Sequence, residues 1–192
     1  MKNRVLLSLL FLIVSSSVIE AKTIKVTTPN ELKVAIKQAV AGDEIVLSNG
    51  IWKDIQIEFF GKGTVEAPIV LRAETAGKVT IEGVSNLKMG GTFLLVKDLY
   101  FTNGYTPSEA VIDFHIEGKQ IANNCKVTNC VIEDFTQLNR VKQDHWVEFW
   151  GRHNELSNCY IAGKSNQGPT IMVILKGNEQ INNYHKIINN HF

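Results

Sequence analysis

The stretch VTNCVI at residues 127–132 decides how this chain is organised, because close copies of it return at even intervals. The copies are VKDLYF at 96–101, LSNCYI at 156–161 and IINNHF at 187–192. Their third positions follow one another at intervals of 31, 29 and 31 residues. A period of about 30 residues is typical of a repeat architecture in which successive units stack on one another.

Each unit has the pattern of short strands. The copies are runs of Val, Ile, Leu, Tyr and Phe that end in polar turns, and further apolar runs lie between them at 146–150 and 171–175. Several strands per repeat without a helical pattern describe one coil of a parallel β-helix, in which like residues stack about 4.8 Å apart. The sequence therefore predicts an all-β chain folded as a right-handed parallel β-helix.

The repeat also predicts stacks of identical side chains. Asn129, Asn158 and Asn189 occupy the same position in three copies, so we expect a ladder of buried amides that hydrogen-bond from coil to coil. Replacing Asn158 by Leu is then expected to cost about 1–3 kcal/mol through lost buried partners.

The three cysteines, Cys125, Cys130 and Cys159, cannot all pair, and their spacings are not those of a zinc site. Stacking would place Cys130 next to Cys159. The sequence favours buried free thiols and leaves a disulfide between these two open.

The two ends of the solenoid differ. Residues 28–31 read TPNE, a capping box with Pro at the first helical position, and apolar residues follow at helical spacing. We predict one short α-helix over 29–40 that covers the open N-terminal end of the coils. Phe192, in contrast, lies inside the fourth copy, and no C-terminal cap follows. The pattern predicts that residues 22–192 are the N-terminal part of a longer β-helix domain.

Residues 1–21 have the pattern of a secretory signal peptide, with a basic start, an apolar segment at 5–14 and a plausible cleavage site at 19–21. The apolar segment is too short for a comfortable membrane span. We therefore expect an exported protein, periplasmic or secreted, that is not attached to a membrane after cleavage.

Charge and composition restrict the classes of binding partner that we expect. The 192 residues include 20 basic and 19 acidic ones, which gives a net charge of +1 at pH 7. A nucleic-acid-binding protein usually carries a basic patch, and no basic run occurs here. Nucleic acid is therefore not expected as a partner. The hydrophobic share of 44% suits one folded domain, which we expect to be a monomer or a weak oligomer.

Several segments together resemble polysaccharide lyase family six, which contains alginate lyases and chondroitinase B. The resemblance extends over about residues 23–192, and the 129–170 part is more specific and leans towards the alginate lyases. The segments that carry it are AGDEIVL at 41–47, GIW at 50–52, NCVIEDF at 129–135, DHWV at 144–147, GKSNQGPT at 163–170 and INNHF at 188–192.

The resemblance implies calcium-assisted β-elimination of a uronate-containing polysaccharide, with alginate as the first substrate and chondroitin or dermatan sulfate as the next. In that family calcium neutralises the uronate carboxylate, a Lys removes the C5 proton and an Arg assists. The family's E-x-E-I-I-x-x-K-S and R-H-G runs, which hold these groups, do not occur in this sequence. We therefore assign no catalytic residue and no metal ligand here, expect calcium only in the full-length enzyme, and expect this chain alone to be inactive.

Two polar segments, 136–144 and 163–169, have the composition of loops that line the binding face of a solenoid. Basic and ring-bearing residues in and beside them are candidates for binding an acidic polysaccharide. For residues 164–166 a solvated turn is the favoured interpretation, and for Trp146 a place in the core or wall is favoured over sugar stacking. The candidate substrate-binding residues are Arg140, His145, Trp146, Lys164 and Asn166.

Two other functions stay open from the residues alone. One is a β-helix glycan-binding or surface adhesion protein without catalysis. The other is a β-helix glycoside hydrolase, which needs two carboxylates on one groove face. The acidic residues between 113 and 148 are scattered and show no calcium-loop spacing.

Overall fold

A computed structural model describes residues 20–118, 120–176 and 182–192. The predicted signal peptide lies outside these residues, apart from its last two positions. The described chain winds into a parallel β-helix in which each complete coil contributes strands to three sheets. The predicted fold class is confirmed. Within the described residues, no helix is long and apolar enough to cross a membrane.

The three sheets are named A, B and C in the order in which the chain passes through them. Sheet A contains, in spatial order, β1 (Thr23–Val26), β2 (Glu44–Leu47), β5 (Ile69–Ala73), β8 (Leu94–Lys97), β13 (Lys126–Thr128), β16 (Glu155–Ser157) and β19 (Lys186–Ile188). Sheet B contains β3 (Gly50–Lys53), β6 (Val79–Val84), β9 (Tyr100–Tyr105), β14 (Val131–Glu133) and β17 (Tyr160–Ala162). Sheet C contains β4 (Gln56–Lys62), β7 (Asn86–Thr92), β10 (Ala110–Asp113), β15 (His145–Phe149) and β18 (Ile171–Val173), with the hairpin of β11 (His115–Ile116) and β12 (Gln120–Asn123) beside β7.

The core is formed by side chains that stack on like side chains through this register. On sheet A, Leu71 pairs with Val96 and Val96 with Val127, and all three are fully buried. On sheet C, Leu87, Ile112 and Val147 form the equivalent buried row. Burying an aliphatic side chain of this size contributes about 1.5–3 kcal/mol, so these rows are the main source of stability.

Helix α1 (Pro29–Gln38) closes the N-terminal end, as predicted, and ends two residues earlier than expected. The Thr28 side chain accepts a hydrogen bond from the Glu31 backbone N–H at 3.2 Å, and the Glu31 carboxylate accepts from the Thr27 backbone at 2.7 Å. These hydrogen bonds to Thr27 also lower the pKa of Glu31. The helix buries Leu32 and Ile36 towards the coils, which covers the apolar end of the core.

The repeated Asn positions lie in adjacent coils, as expected, but they do not form a buried amide ladder. Asn129, Asn158 and Asn189 have φ angles of 53°, 55° and 55° and are exposed at the turn from sheet A to sheet B. Asn129 donates to Asp98, whereas Asn158 donates to the Thr128 hydroxyl at 3.4 Å. Because Asn tolerates the left-handed conformation better than most residues, backbone geometry explains the repeat.

A buried asparagine is found just before strand β16, at the opposite end of that strand from Asn158. The sequence pattern did not indicate it. Asn154 is fully buried, and its side-chain oxygen accepts from the Cys125 backbone N–H at 2.8 Å. Its amide nitrogen donates to the backbone carbonyls of Ala122 at 2.8 Å and Trp150 at 2.7 Å. One side chain therefore ties three backbone groups of two neighbouring coils.

The cysteines are all buried free thiols, so the favoured interpretation of their state is confirmed. Cys130 and Cys159 occupy neighbouring coils, because the residues that flank them pair in register. Burial raises the pKa of Cys125 to about 11, which keeps this thiol protonated at neutral pH.

Candidate substrate-binding face

The outer faces of sheets A and C carry different chemistry. On sheet A, charged residues of neighbouring coils neutralise one another, as in the Arg72–Glu44 pair at 2.7 Å and the Lys126–Glu155 pair at 2.8 Å. On sheet C, two carboxylates lie side by side, because Asp113 pairs in register with Glu148. Rings flank these acids, and the loops 136–144 and 163–169 lead into the same sheet. Sheet C is therefore the candidate face.

Lys164 joins the two loops. Its Nζ lies 2.8 Å from Asp144 Oδ1 and 2.9 Å from Asn166 Oδ1, and it also donates to the backbone carbonyls of Asn166 and Gln167, both at 3.2 Å. The side chain of Lys164 is 9% exposed and that of Asp144 is 0% exposed. The interpretation of residues 164–166 as a solvated turn is therefore wrong, because the loops converge on this ammonium group.

Asn166 and Arg140 complete the junction between the loops. Asn166 Nδ2 donates to the Lys142 carbonyl at 2.8 Å, and the Thr136 hydroxyl donates to Asn166 Oδ1 at 2.7 Å. Arg140 is exposed, and its Nε donates to the Ser165 carbonyl at 3.0 Å. These contacts hold the two loops as one unit, which we name the loop junction. All groups around the Lys164 nitrogen are hydrogen-bond acceptors, two of them side-chain oxygens and two of them backbone carbonyls.

Trp146 does not have the exposure that stacking on a sugar requires. Its side chain is fully buried, and its Nε1 finds no hydrogen-bond partner among the described residues. Of the two interpretations given for Trp146, the structure favours a place in the core or wall.

His145 lies partly exposed at the start of β15, with 14% of its side chain accessible. Its Nδ1 is 2.8 Å from Glu148 Oε2, and Trp150 Nε1 donates to Glu148 Oε1 at 2.7 Å. The Trp150 ring in turn lies against His115, with centroids 4.5 Å apart. Glu148 thus connects two rings on the outer face of sheet C.

Asp113 lies next to this arrangement. Burial and the neighbouring Glu148 raise the pKa of Asp113 to about 8, although Lys88 acts in the opposite direction. The Asp113 carboxyl is therefore largely uncharged at neutral pH. Burial and Lys88 lower the pKa of His115.

From the sequence, Asp113 and Glu148 were interpreted as scattered acids and were not grouped with His145. Strand alternation was a signal for part of this arrangement, since Glu148 and Trp150 lie two residues apart and face the same side of the sheet. His145 lies three residues before Glu148 and carries no such signal. The partner in the preceding coil could not be identified without the register. Of the five predicted binding residues, the structure brings Arg140, Lys164 and Asn166 together and places His145 in a separate arrangement.

Within the described residues, no three or more His, Cys, Asp or Glu side chains are grouped so that they could hold a metal ion. We derive no step through calcium from the described residues. Calcium stays an expectation for the longer enzyme.

Comparison with known proteins gives a consistent result. The family model described as chondroitinase B matches residues 26–192. The PL6 family alginate lyase AlyGC is 40% identical with a TM-score of 0.83, over 86% of this chain and 23% of that chain. The PL6 family polysaccharide lyase Pedsa3628 from Pseudopedobacter saltans is 33% identical with a TM-score of 0.75, over 85% of this chain and 36% of that chain.

A mannuronic acid specific family 6 lyase from human gut microbiota is 30% identical with a TM-score of 0.73, over 79% of this chain and 36% of that chain. A search of curated proteins gives no match. This chain thus spans between about a quarter and about a third of the length of these lyases. The chain belongs to polysaccharide lyase family six, the family of chondroitinase B and of the alginate lyases that it resembles in structure.

Proposed function

We propose that this chain is the N-terminal part of an exported polysaccharide lyase that cleaves a uronate-containing polysaccharide, alginate first, by calcium-assisted β-elimination. The observation that carries the proposal is the 40% identity to the alginate lyase AlyGC, at a TM-score of 0.83 over 86% of the chain. Family membership favours this reaction over the glycoside hydrolase alternative, and the two carboxylates on sheet C do not change that preference. Glu148 already accepts hydrogen bonds on both oxygens.

Different coils would supply substrate binding and catalysis. This chain supplies the N-terminal coils, the loop junction and the outer face of sheet C, against which the acidic polymer lies. In the resembled family, the base, its assisting Arg and the calcium carboxylates occupy motifs that would fall in coils after residue 192. When bound there, calcium would supply charge neutralisation of the uronate carboxylate.

A chimera tests the proposal. Residues 26–192 replace the matching coils of AlyGC, and the fusion is incubated with alginate while the ultraviolet absorbance of the unsaturated product is recorded. We expect calcium-dependent product formation from the chimera. Chondroitin sulfate and dermatan sulfate, used in parallel, identify the preferred polymer.

Two controls make the outcome interpretable. AlyGC without its matching coils shows whether the grafted segment is required, and circular dichroism shows whether the chimera is folded. A folded chimera that binds alginate but yields no product would contradict the proposal and favour the glycan-binding alternative.

A further inference from the structure

One arrangement on sheet C is not used by the proposed chemistry. It comprises Asp113, His115, His145, Glu148 and Trp150, and we name it the Glu148 cluster. Its members come from the neighbouring coils that contain β10 and β15. It is distinct from the loop junction, which involves other residues, and it holds none of the family's catalytic motifs.

Glu148 has the contacts of a residue that positions others. It is 4% exposed, and each carboxylate oxygen faces a different ring nitrogen, His145 Nδ1 at 2.8 Å and Trp150 Nε1 at 2.7 Å. Burying a carboxylate is costly unless hydrogen bonds compensate for the lost water. Here the two rings supply that compensation, and both rings are held in fixed orientations as a result.

Trp150 differs from the other two tryptophans. Trp52 is 5% exposed and Trp146 is 0% exposed, whereas Trp150 is partly exposed. Its indole nitrogen is fixed by Glu148 and its ring lies against His115, with an interplanar angle of 31°. A partly exposed aromatic ring with a fixed orientation is suited to carry the apolar face of a sugar, because ligand sites combine aromatic walls with a few placed polar groups.

Charged groups of both signs surround the cluster. Asp113 is largely uncharged at neutral pH, since burial and Glu148 raise its pKa to about 8, and the Glu148 carboxylate faces His145 Nδ1 at 2.8 Å. Lys88 lies in register between Glu58 and Asp113. Glu109, Glu117 and Lys176 are the other charged groups that act on Asp113 or His115.

We propose that the Glu148 cluster is a subsite for one uronate ring of the polysaccharide, with Trp150 as the stacking platform and with Lys88 as the contact for the uronate carboxylate. Glu148 is a positioning residue that fixes both rings. The inference rests on the proposed function, because it takes the uronate polymer as its ligand.

The test uses the intrinsic tryptophan fluorescence of this chain and needs no catalysis. An alginate hexasaccharide is titrated into the purified protein, and we expect a saturable change in emission. Trp150→Phe should abolish the change, whereas the matched control Trp52→Phe should retain it. A response that persists in Trp150→Phe, or no response in the unmodified protein, overturns the proposal.

Calorimetry supplies a measurement that does not depend on the fluorophore. We expect Trp150→Ala to weaken hexasaccharide binding by about tenfold, the size typical of an interface anchor. A hexasaccharide whose carboxylates have been reduced to alcohols should also bind more weakly. Equal binding of the reduced and unreduced sugars would overturn the assignment of carboxylate recognition.

Glu148→Gln separates positioning from folding. The amide retains an acceptor for Trp150 but cannot accept from both rings, so we expect a fluorescence response with a weaker affinity and an unchanged melting temperature. An unchanged affinity contradicts the positioning role. These titrations need only binding, so the two proposals can fail separately. An inactive chimera together with a normal titration would refute the lyase proposal and retain the subsite. An active chimera together with no titration response would retain the lyase proposal and refute the subsite.

Discussion

The outer faces of sheets A and C belong to the same coils, yet the charged side chains beside them differ in their exposure to water. On sheet A, charges pair across coils while staying near water, as in Lys126–Glu155, whose side chains are 41% and 19% exposed. Beside sheet C, the charges are withdrawn from water, as in Lys164–Asp144 with 9% and 0% exposure. Backbone register alone therefore does not determine how far a charged pair is exposed to water. The surrounding loops also matter.

The largest expected effect comes from breaking the buried pair. Lys164→Met leaves the Asp144 carboxylate buried without its cation, which we expect to cost about 3–5 kcal/mol of the free energy of unfolding. The matched control on sheet A, Lys126→Met, breaks an ion pair near water and should cost about 0–1 kcal/mol. Urea denaturation of both variants measures the difference. Equal losses would show that burial does not distinguish the two faces.

The asparagines extend the same comparison between buried and exposed positions. Asn154→Leu removes the partners of three backbone groups, and we expect a loss of about 3 kcal/mol. Asn158→Leu should cost only about 1 kcal/mol, through strain at its φ of 55°. Thermal melts of both variants check this, with Asn158→Gly as the control that should show no loss. If Asn158→Gly loses as much as Asn158→Leu, the backbone explanation fails and side-chain contacts matter.

The pH dependence of stability should have opposite signs on the two faces. The raised pKa of Asp113, about 8, means that the folded state holds a proton that the unfolded state releases above about pH 4. Stability contributed by this proton is full below about pH 4 and is lost as the pH rises towards 8, with a slope of at most about 1.4 kcal/mol per pH unit. Asp113→Asn should remove this slope.

Glu44 on sheet A is the control for that experiment. Its pair with Arg72 lowers the pKa of Glu44, so its contribution is present above the usual pKa of a glutamate and is lost as the pH falls below it. Glu44→Gln should therefore change stability only on the acidic side. An Asp113→Asn profile parallel to that of the unmodified protein would contradict the assignment of an uncharged Asp113.

The sequence allowed the fold to be predicted because the fold repeats. The spacing of the four copies and the capping box at Thr28 are backbone signals, and both led to the observed coils and helix. Side-chain partners were harder to predict. The exposed Asn158 repeats because its turn repeats, whereas the buried Asn154 precedes a strand and carries no periodic signal. Lys164 meets Asp144 between two loops, and Glu148 lies in register with Asp113 of the preceding coil, and a period of about 30 residues specifies neither contact.

The most direct test of the account measures binding and cleavage on one sample. The purified chain is mixed with alginate and calcium, and tryptophan emission and the ultraviolet absorbance of the unsaturated product are recorded together. The account predicts a change in emission from Trp150 with a flat absorbance, because it proposes that this chain supplies the binding face and that coils outside this chain supply the base. A calcium-dependent rise in absorbance would contradict it and would place the proton-accepting base within these coils.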